Sequence, residues 1–431
     1  METTSTPITW SPLKIYSFRY LLVFFSLIIL PFPLTFIPGV NMLADRYTDL
    51  FPPLVSWVGE NLLGIADPIV SKMTGSGDTL YDWVWYLVVI LLTVLIGTIF
   101  TVVDRHRKNY TQLYGWFLLI LSYYLAYSLF SYGIIKMFNL QFSPPGLSRL
   151  FQTYGQSSPM RLVWTFIGAS STYTIFAGAS ETIAALLLLF RRTRTVGAMM
   201  AFGVMFNVFM LNMSYDIPVK LFSFQLVVIS IYIFSQDWRR LFAFFFTDEA
   251  VAAPAKKTLV NSKVGWWVLL GVQVLFGGFV IISQLYGAKQ GREQYGAGSP
   301  KSPLYGVYNV DHFVKNGDTI PDLLSDTVRW KRIIFDYPKF TPITMMNDHD
   351  KYFGTEVDTT AQTIMFTARG EDKEADAFTY ERSEGHLLLK GIMNTDTLEI
   401  SFTPYDLSRF GLLNRGFHWV NEVPYNRYNY D

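Results

Sequence analysis

The apolar blocks of this chain are as long as membrane spans, and they limit what it can fold into. Up to about residue 285 the sequence runs in such blocks, and a helix needs about 20 apolar residues to cross a bilayer. The blocks that reach this length are residues 16–38, 81–103, 111–137, 163–190, 196–214, 219–236 and 264–284. The first contains Pro31 and Pro33, which predict a kink or an early helix end. The sequence therefore predicts a membrane α-helical bundle of about seven transmembrane helices.

Lysine and arginine predict the orientation of the bundle. They are concentrated at residues 104–108, 191–194 and 238–263, and these three loops alternate with acidic or nearly neutral loops. Cytoplasmic loops carry the excess of Lys and Arg. With seven spans, this predicts a cytoplasmic N-terminus and a C-terminal part outside. Lys14 and Arg19, before and within the first block, agree with that orientation.

The loop of residues 39–80 is long for a connection between neighbouring spans. Its apolar stretches, such as residues 51–58 and 61–66, are too short to cross a bilayer. We interpret this loop as containing an interfacial helix that lies on the outer leaflet.

The pattern changes after the last apolar block to short alternating runs. Residues 327–335, 361–367, 387–391 and 397–402 read as strands, and turn residues separate them. Strands at this spacing predict an antiparallel β-rich domain, either a sandwich or a small barrel. The sequence therefore predicts a transmembrane domain at residues 1–290 and an extracytoplasmic β-rich domain at residues 291–431.

Composition and motifs exclude several functions. The net charge of +1 provides no basic field for nucleic acid, and the absence of cysteine excludes disulfides and thiolate metal sites. No P-loop, dinucleotide fingerprint, HExxH or GxSxG motif is present, and no histidine lies in a span to hold haem. Residues 347–350, Asn-Asp-His-Asp, read as a polar turn, because hard-cation loops need more ligands. We predict no metal site.

Polar residues inside or at the ends of the apolar blocks are the candidate ligand-binding residues. A charge in mid-span costs about 2.5–3.5 kcal/mol, so such residues are functional candidates by default. The set is Lys136, Glu181, Asn207, Asn212, Asp216 and Lys220. Glu181 near the middle of its block is either a ligand or proton site or a hydrogen bond between helices. Lys136, Asp216 and Lys220 fall at the outer ends, where they either open a polar pocket outward or are ordinary interfacial residues.

The stretch from about residue 132 to residue 246 resembles the DoxX-like membrane proteins. The resemblance rests on residues 132–136 (YGIIK), 178–181 (GASE), 187–193 (LLLFRRT) leading to Gly197, Asn207, and 215–220 (YDIPVK). It implies a four-helix core over about residues 111–246, a bacterial cytoplasmic membrane, and a link to quinones or respiratory redox chemistry. The chain departs from the family pattern in its extra spans, its 39–80 loop and its soluble outer domain.

Two functions remain open on the sequence. In the first, the chain is a quinone- or lipid-binding subunit of a membrane oxidoreductase. Glu181 and Lys136 then move protons or bind the quinone oxygens, and another subunit is the redox partner. In the second, it is a non-enzymatic envelope protein whose bundle anchors an outer β domain that binds a partner or lipid. A transporter is not supported, because neither an inverted repeat nor a charged ladder is evident.

Overall fold

The chain divides by its internal contacts into two compact units. The computed structural model describes residues 9–37, 39–67, 69, 77–251, 259–260, 262–368 and 375–420. The first unit comprises Met1–Met137 and Ile175–Ala288, and the second comprises Phe138–Thr174 and Lys289–Asp431. The predicted division at residue 290 concerns position relative to the membrane and stays a prediction.

Helices dominate the chain up to residue 294. In chain order, α1 to α13 are Pro12–Ile29, Asn41–Asp49, Phe51–Leu62, Leu80–Val103, Thr111–Met137, Leu147–Leu150, Pro159–Gly168, Ser171–Leu189, Arg194–Ser214, Lys220–Ser235, Trp238–Phe246, Lys263–Gln294 and Gly411–Asn414. Among the described residues six helices are long and apolar enough to cross a membrane: α1, α4, α5, α8, α9 and α12. The pair α10 and α11 forms a seventh candidate, bent by 76°. The predicted helical bundle of about seven spans is confirmed.

One predicted span is wrong. The block 163–190 is not one helix, because α7 ends at Gly168 and α8 begins at Ser171. The Ser170 hydroxyl accepts the backbone N–H of Tyr173 at 3.2 Å, and this cap starts the new helix. The first helix ends at Ile29, before residue 38, and this confirms the early end that was predicted from the two prolines. Pro31 and Pro33 follow directly, and proline cannot continue a helical hydrogen-bond ladder.

One end of the bundle is tied together around Arg19 on α1. This buried guanidinium donates to the hydroxyl of Tyr110 at 2.8 Å and to the carbonyl of Asp104 at 2.5 Å. The backbone N–H of Trp10 donates to the carbonyl of Lys108 at 3.0 Å. The start of α1 and the basic turn between α4 and α5 therefore lie at the same end of the bundle.

Within its described residues, the 39–80 loop contains two short helices, α2 and α3, of 9 and 12 residues. Both are too short to span a bilayer, as expected from the sequence. Their position on a leaflet stays a prediction.

The C-terminal domain is a closed antiparallel barrel of eight strands. In chain order, β1 to β9 are Gly306–Lys315, Asp318–Thr319, Trp330–Phe335, Thr341–Met345, Asp350–Asp358, Thr363–Ala368, Asp376–Ser383, His386–Met393 and Asp396–Pro404. Neighbours pair in chain order from β3 to β9, and β1 pairs with both β3 and β9. The two-residue β2 pairs only with the end of β1 and stays outside the ring. Of the two β architectures predicted, the barrel is the one found.

Side chains fill the interior of the barrel. Aromatic residues from five strands are buried there: Phe313, Trp330, Phe335, Phe366, Phe378 and Phe402. Small eight-stranded barrels have interiors that side chains can fill. The strands therefore enclose a packed core.

Candidate functional site

The buried ion pair between Lys136 and Glu181 is the main feature of the predicted site. Lys136 lies in the last turn of α5, and Glu181 lies in the middle of α8. The Lys136 ammonium donates a hydrogen bond to Oε1 of Glu181. The residues are 5% and 1% exposed, so the two charges compensate each other away from solvent. The structure thus brings together the two residues that the sequence analysis considered most informative.

Glycines next to the ion pair bring α5 and α8 into close contact. Gly133 lies one turn before Lys136, and Gly178 lies one turn before Glu181. A Cβ on Gly178 would lie 2.4 Å from the carbonyl oxygen of Gly133. A Cβ on Gly133 would lie 2.6 Å from the hydroxyl of Thr182. Such contacts exclude any larger residue, and small residues in this pattern allow membrane helices to pack backbone to backbone.

One oxygen of Glu181 has no hydrogen-bond partner among the described residues. Oε2 is buried and accepts no hydrogen bond from any residue that the structure describes. The ring centroid of Tyr132 lies 5.8 Å from the Lys136 ammonium. A buried carboxylate oxygen normally has a hydrogen-bond partner, so this atom could accept a further donor.

Asp216 and Lys220 form a second and separate polar cluster. Nζ of Lys220 lies 2.8 Å from the Asp216 carboxylate and 3.8 Å from that of Asp78. Asp78 also accepts the backbone N–H groups of Lys220 at 2.6 Å and Leu221 at 3.0 Å, and so caps the start of α10. Asp216 adopts a positive φ of 50°, and its side chain is 86% exposed. Within the described residues, no hydrogen bond or ion pair joins this cluster to Lys136 and Glu181.

The two asparagines have different surroundings. Asn212 is buried and donates to the hydroxyl of Ser223 at 2.9 Å and to the carbonyl of Val219 at 3.3 Å. It therefore links the end of α9 to the start of α10. Asn207 lies on the exposed surface of α9. Whether any of the six residues binds a ligand stays a prediction.

A polar network across three helices is built around Gln225 on α10. Its side-chain oxygen accepts the hydroxyl of Tyr86 at 2.6 Å, and its amide donates to the hydroxyl of Tyr124 at 3.0 Å. Tyr86 lies on α4 and Tyr124 on α5. Gln225 is an isolated amide in an apolar block, which was the available sequence signal, but the sequence did not indicate its tyrosine partners.

Residues 347–349 lie in the turn between β4 and β5 and Asp350 begins β5, so the predicted polar turn is confirmed over its first three residues. The N–H of Met345 donates to the carbonyl of His349 at 2.8 Å, and Asp348 adopts a positive φ of 62°. The ammonium of Lys331 lies 2.5 Å from the Asp348 carboxylate. This hydrogen bond lowers the pKa of Asp348. The described residues contain no cluster of three or more His, Cys, Asp or Glu side chains placed to hold a metal.

A cleft of about 350 Å³ opens at one end of the barrel. Its wall combines aromatic and charged side chains, including Trp330, Phe353, Lys315, Lys351 and Asp396. Lys315 and Asp396 form an ion pair of 2.8 Å across neighbouring strands, and this contact lowers the pKa of the Asp396 carboxyl. The cleft therefore presents both apolar surface and paired charges to solvent.

The segment of residues 138–174 packs on the outside of the barrel, which the sequence did not indicate. Leu147 on α6 packs against Val307 and Ile334 of the barrel wall. Its backbone N–H donates to the carboxylate of Asp336 at 2.7 Å. Burial raises the pKa of Asp336, and the bond from Leu147 partly opposes this rise.

An aromatic contact extends this packing. Phe151, directly after α6, lies edge-on to Tyr405 and Phe410 with ring centroids 5.1 and 5.2 Å apart. The guanidinium of Arg332 lies 4.1 Å from the centroid of the Phe151 ring. A short apolar run between two predicted spans was the available signal for this contact.

Comparison with known proteins places the chain in a family without assigning it an activity. No family model matches the sequence, and no solved structure matches the fold. The chain is 31% identical over 122 residues to the uncharacterized protein YwoB of Bacillus subtilis (strain 168), which covers 28% of this chain and 77% of YwoB. At that identity and coverage, this chain belongs to the same family as YwoB.

Proposed function

We propose that this chain is a non-enzymatic envelope protein whose helical bundle anchors the barrel domain, and that the barrel binds a partner outside the membrane. The observation that carries this proposal is the mutual pairing of Lys136 and Glu181 beside the contact of Gly133 with Gly178. The ammonium and the carboxylate compensate each other, and the helices around them are as close as their backbones allow. An anchor needs only that its buried charges be satisfied between neighbouring helices, and this pair meets that need without a ligand.

The proposed location is a bacterial cytoplasmic membrane, with the N-terminus inside and the barrel outside. This orientation follows from the basic loops at residues 104–108, 191–194 and 238–263. The resemblance to DoxX-like proteins supports a bacterial membrane.

The barrel-end cleft is the proposed partner-binding surface. The cleft lies where charged side chains at one end of the strands meet side chains of the barrel core. Phe353, which is only partly buried, supplies apolar contact area there, and the exposed Lys351 supplies a charge. Aromatic anchors beside charged groups are typical of interface centres.

Photocrosslinking tests the cleft in cells. A photoreactive residue at Lys351, inside the cleft, is expected to give a discrete adduct with an envelope protein. The same residue at the exposed Lys339, outside the cleft, serves as the matched control. Equal labelling from both positions, or none from either, would contradict the proposed surface.

A second candidate function is a quinone- or lipid-binding subunit of a membrane oxidoreductase. Oε2 of Glu181, which has no partner among the described residues, favours this function, because a quinol hydroxyl or a lipid headgroup could donate a hydrogen bond to it. Another subunit would then supply the redox partner.

Mass spectrometry of bound lipid separates the two functions. The protein is purified in mild detergent, and the lipid extracted from it is compared with that from Glu181→Gln and Lys136→Met. Asp216→Asn, on the exposed cluster, is the control. We expect bulk phospholipid that does not change among the variants. A stoichiometric quinone that is lost only in the Glu181 and Lys136 variants would refute the anchor proposal and support the oxidoreductase subunit.

A further inference from the structure

The short helix α11 leaves the bundle at a fixed elbow. It follows α10 after two residues, and the two helix axes differ by 76°. The hydroxyl of Tyr114 on α5 donates to the Gln236 side chain, and that of Thr195 on α9 donates to the Asp237 carboxylate. Arg240 also pairs with Asp237 at 2.9 Å. Contacts from two other helices therefore hold the elbow in place.

The helix is too short to cross a membrane, and no residue of it is buried among the described residues. Its nine residues span roughly 14 Å, whereas the hydrocarbon core is about 30 Å thick. A helix of this length that follows a span at a steep angle can lie along the membrane surface.

The large apolar side chains of α11 lie on one face. At 100° per residue, one arc of about 140° holds Trp238, Leu241, Phe242, Phe245 and Phe246. The rings of Trp238 and Phe242 are 5.7 Å apart and those of Phe242 and Phe246 are 5.3 Å apart, so they form a continuous ridge. The rest of the helix carries both of its arginines. Phe244 also lies on that side and departs from the pattern.

Positive charge lies where phospholipid headgroups would be. Arg239 and Arg240 line a cleft of about 260 Å³ at the elbow. Residues 191–194 add the exposed Arg191 and Arg192 just before Thr195, which contacts the elbow. One acidic residue, Asp237, lies in this cleft. The surface therefore complements an anionic headgroup.

We infer that α11 lies in the membrane interface, with its aromatic ridge among the acyl chains, and that Arg239 and Arg240 bind the phosphate of anionic phospholipids. Amphipathic helices with aromatic residues on one face and arginine on the other bind membranes in this way. This inference does not depend on whether the barrel binds a partner.

Spin labelling tests the position of α11, and the absence of cysteine in the chain makes this direct. Single substitutions Phe242→Cys, Ala243→Cys, Phe245→Cys and Phe246→Cys are labelled in the full chain, which is reconstituted in liposomes containing phosphatidylglycerol. We expect labels at 242, 245 and 246 to lie about 5–10 Å below the phosphates, and the label at 243 to be shallower. A steady increase in depth from 242 to 246 would show a continuing span. Labels fully accessible to water would show no membrane contact. Either result would overturn the inference.

Native mass spectrometry tests the headgroup preference. The full chain in detergent is titrated with phosphatidylglycerol or phosphatidylcholine. Because one arginine near an anionic surface contributes about 1 kcal/mol, Arg239→Gln is expected to weaken phosphatidylglycerol binding about fivefold. Arg161→Gln, on the exposed start of α7, is the matched control. Equal affinity for the two lipids, or an equal loss in both variants, would overturn the headgroup assignment.

Discussion

Removing one partner of the Lys136–Glu181 ion pair should destabilise the helical bundle far more than removing both. In Lys136→Met the Glu181 carboxylate stays buried at 1% exposure with no cation beside it. Breaking a buried pair from one side costs about 3–5 kcal/mol. A lone charge in mid-span costs about 2.5–3.5 kcal/mol on insertion scales, which gives a similar magnitude.

The double variant Lys136→Met with Glu181→Leu should recover most of that loss. Apolar residues of similar volume often replace a buried pair with no cost or with a gain of about 1–4 kcal/mol. We therefore expect the free energy of unfolding of the double variant to lie within about 1 kcal/mol of that of the parent protein. Asp216→Asn, whose side chain is 86% exposed, should cost less than about 1 kcal/mol.

The assay is reversible unfolding in detergent. It gives the free energy of unfolding of the parent, both single variants, the double variant and the control. A double variant as unstable as the worse single variant would refute the reasoning, because the pair would then matter for more than mutual compensation. Loss of a bound ligand with the pair is one such cause.

Three further predictions concern other contacts. Gly178→Ala places a Cβ 2.4 Å from the Gly133 carbonyl oxygen and should lower the free energy of unfolding by about 1–3 kcal/mol. Gly203→Ala, with open space around it, should be neutral or stabilising, and the same unfolding assay compares the two. Asp78→Ala removes the cap of α10 and should lower the free energy of unfolding by about 1 kcal/mol. An unchanged thermal midpoint would mean that water replaces the cap. Burial raises the folded-state pKa of Asp336 above its unfolded value, so its contribution to stability is present at low pH and is lost as the pH rises through the folded pKa. Asp336→Asn should flatten this dependence in melting curves between pH 3 and pH 7, and parallel curves for the two proteins would contradict it.

The helical bundle and the β domain can be predicted from the sequence, because both depend on local patterns. A span must satisfy its backbone hydrogen bonds within itself, so a run of about 20 apolar residues is sufficient evidence for one. Strands β3, β6, β8 and β9 alternate clearly enough to be predicted. The remaining strands were missed, because turn residues and mixed polarity conceal their alternation.

Helix breaks inside apolar blocks were harder to predict from the sequence. Hydropathy does not distinguish one helix from two, so α7 and α8 read as a single span. The cap at Ser170 decides the break, and its partner Tyr173 is an ordinary residue in the sequence. The elbow between α10 and α11 was missed for a related reason, since its fixing contacts come from Tyr114 and Thr195 on other helices.

By itself the sequence predicted helices long and apolar enough to cross a membrane, showed which loops are basic, and predicted that a β-rich domain follows. Each of these properties depends on the hydropathy or charge of residues that are neighbours in the chain. Only the tertiary structure decided that Lys136 meets Glu181 across 45 residues, that β1 closes the barrel against β9, and that Leu147 packs beside Asp336. Each of these contacts joins groups that are far apart in the chain. Whether a buried charge is a binding site or half of an ion pair depends on which group lies opposite it in the fold.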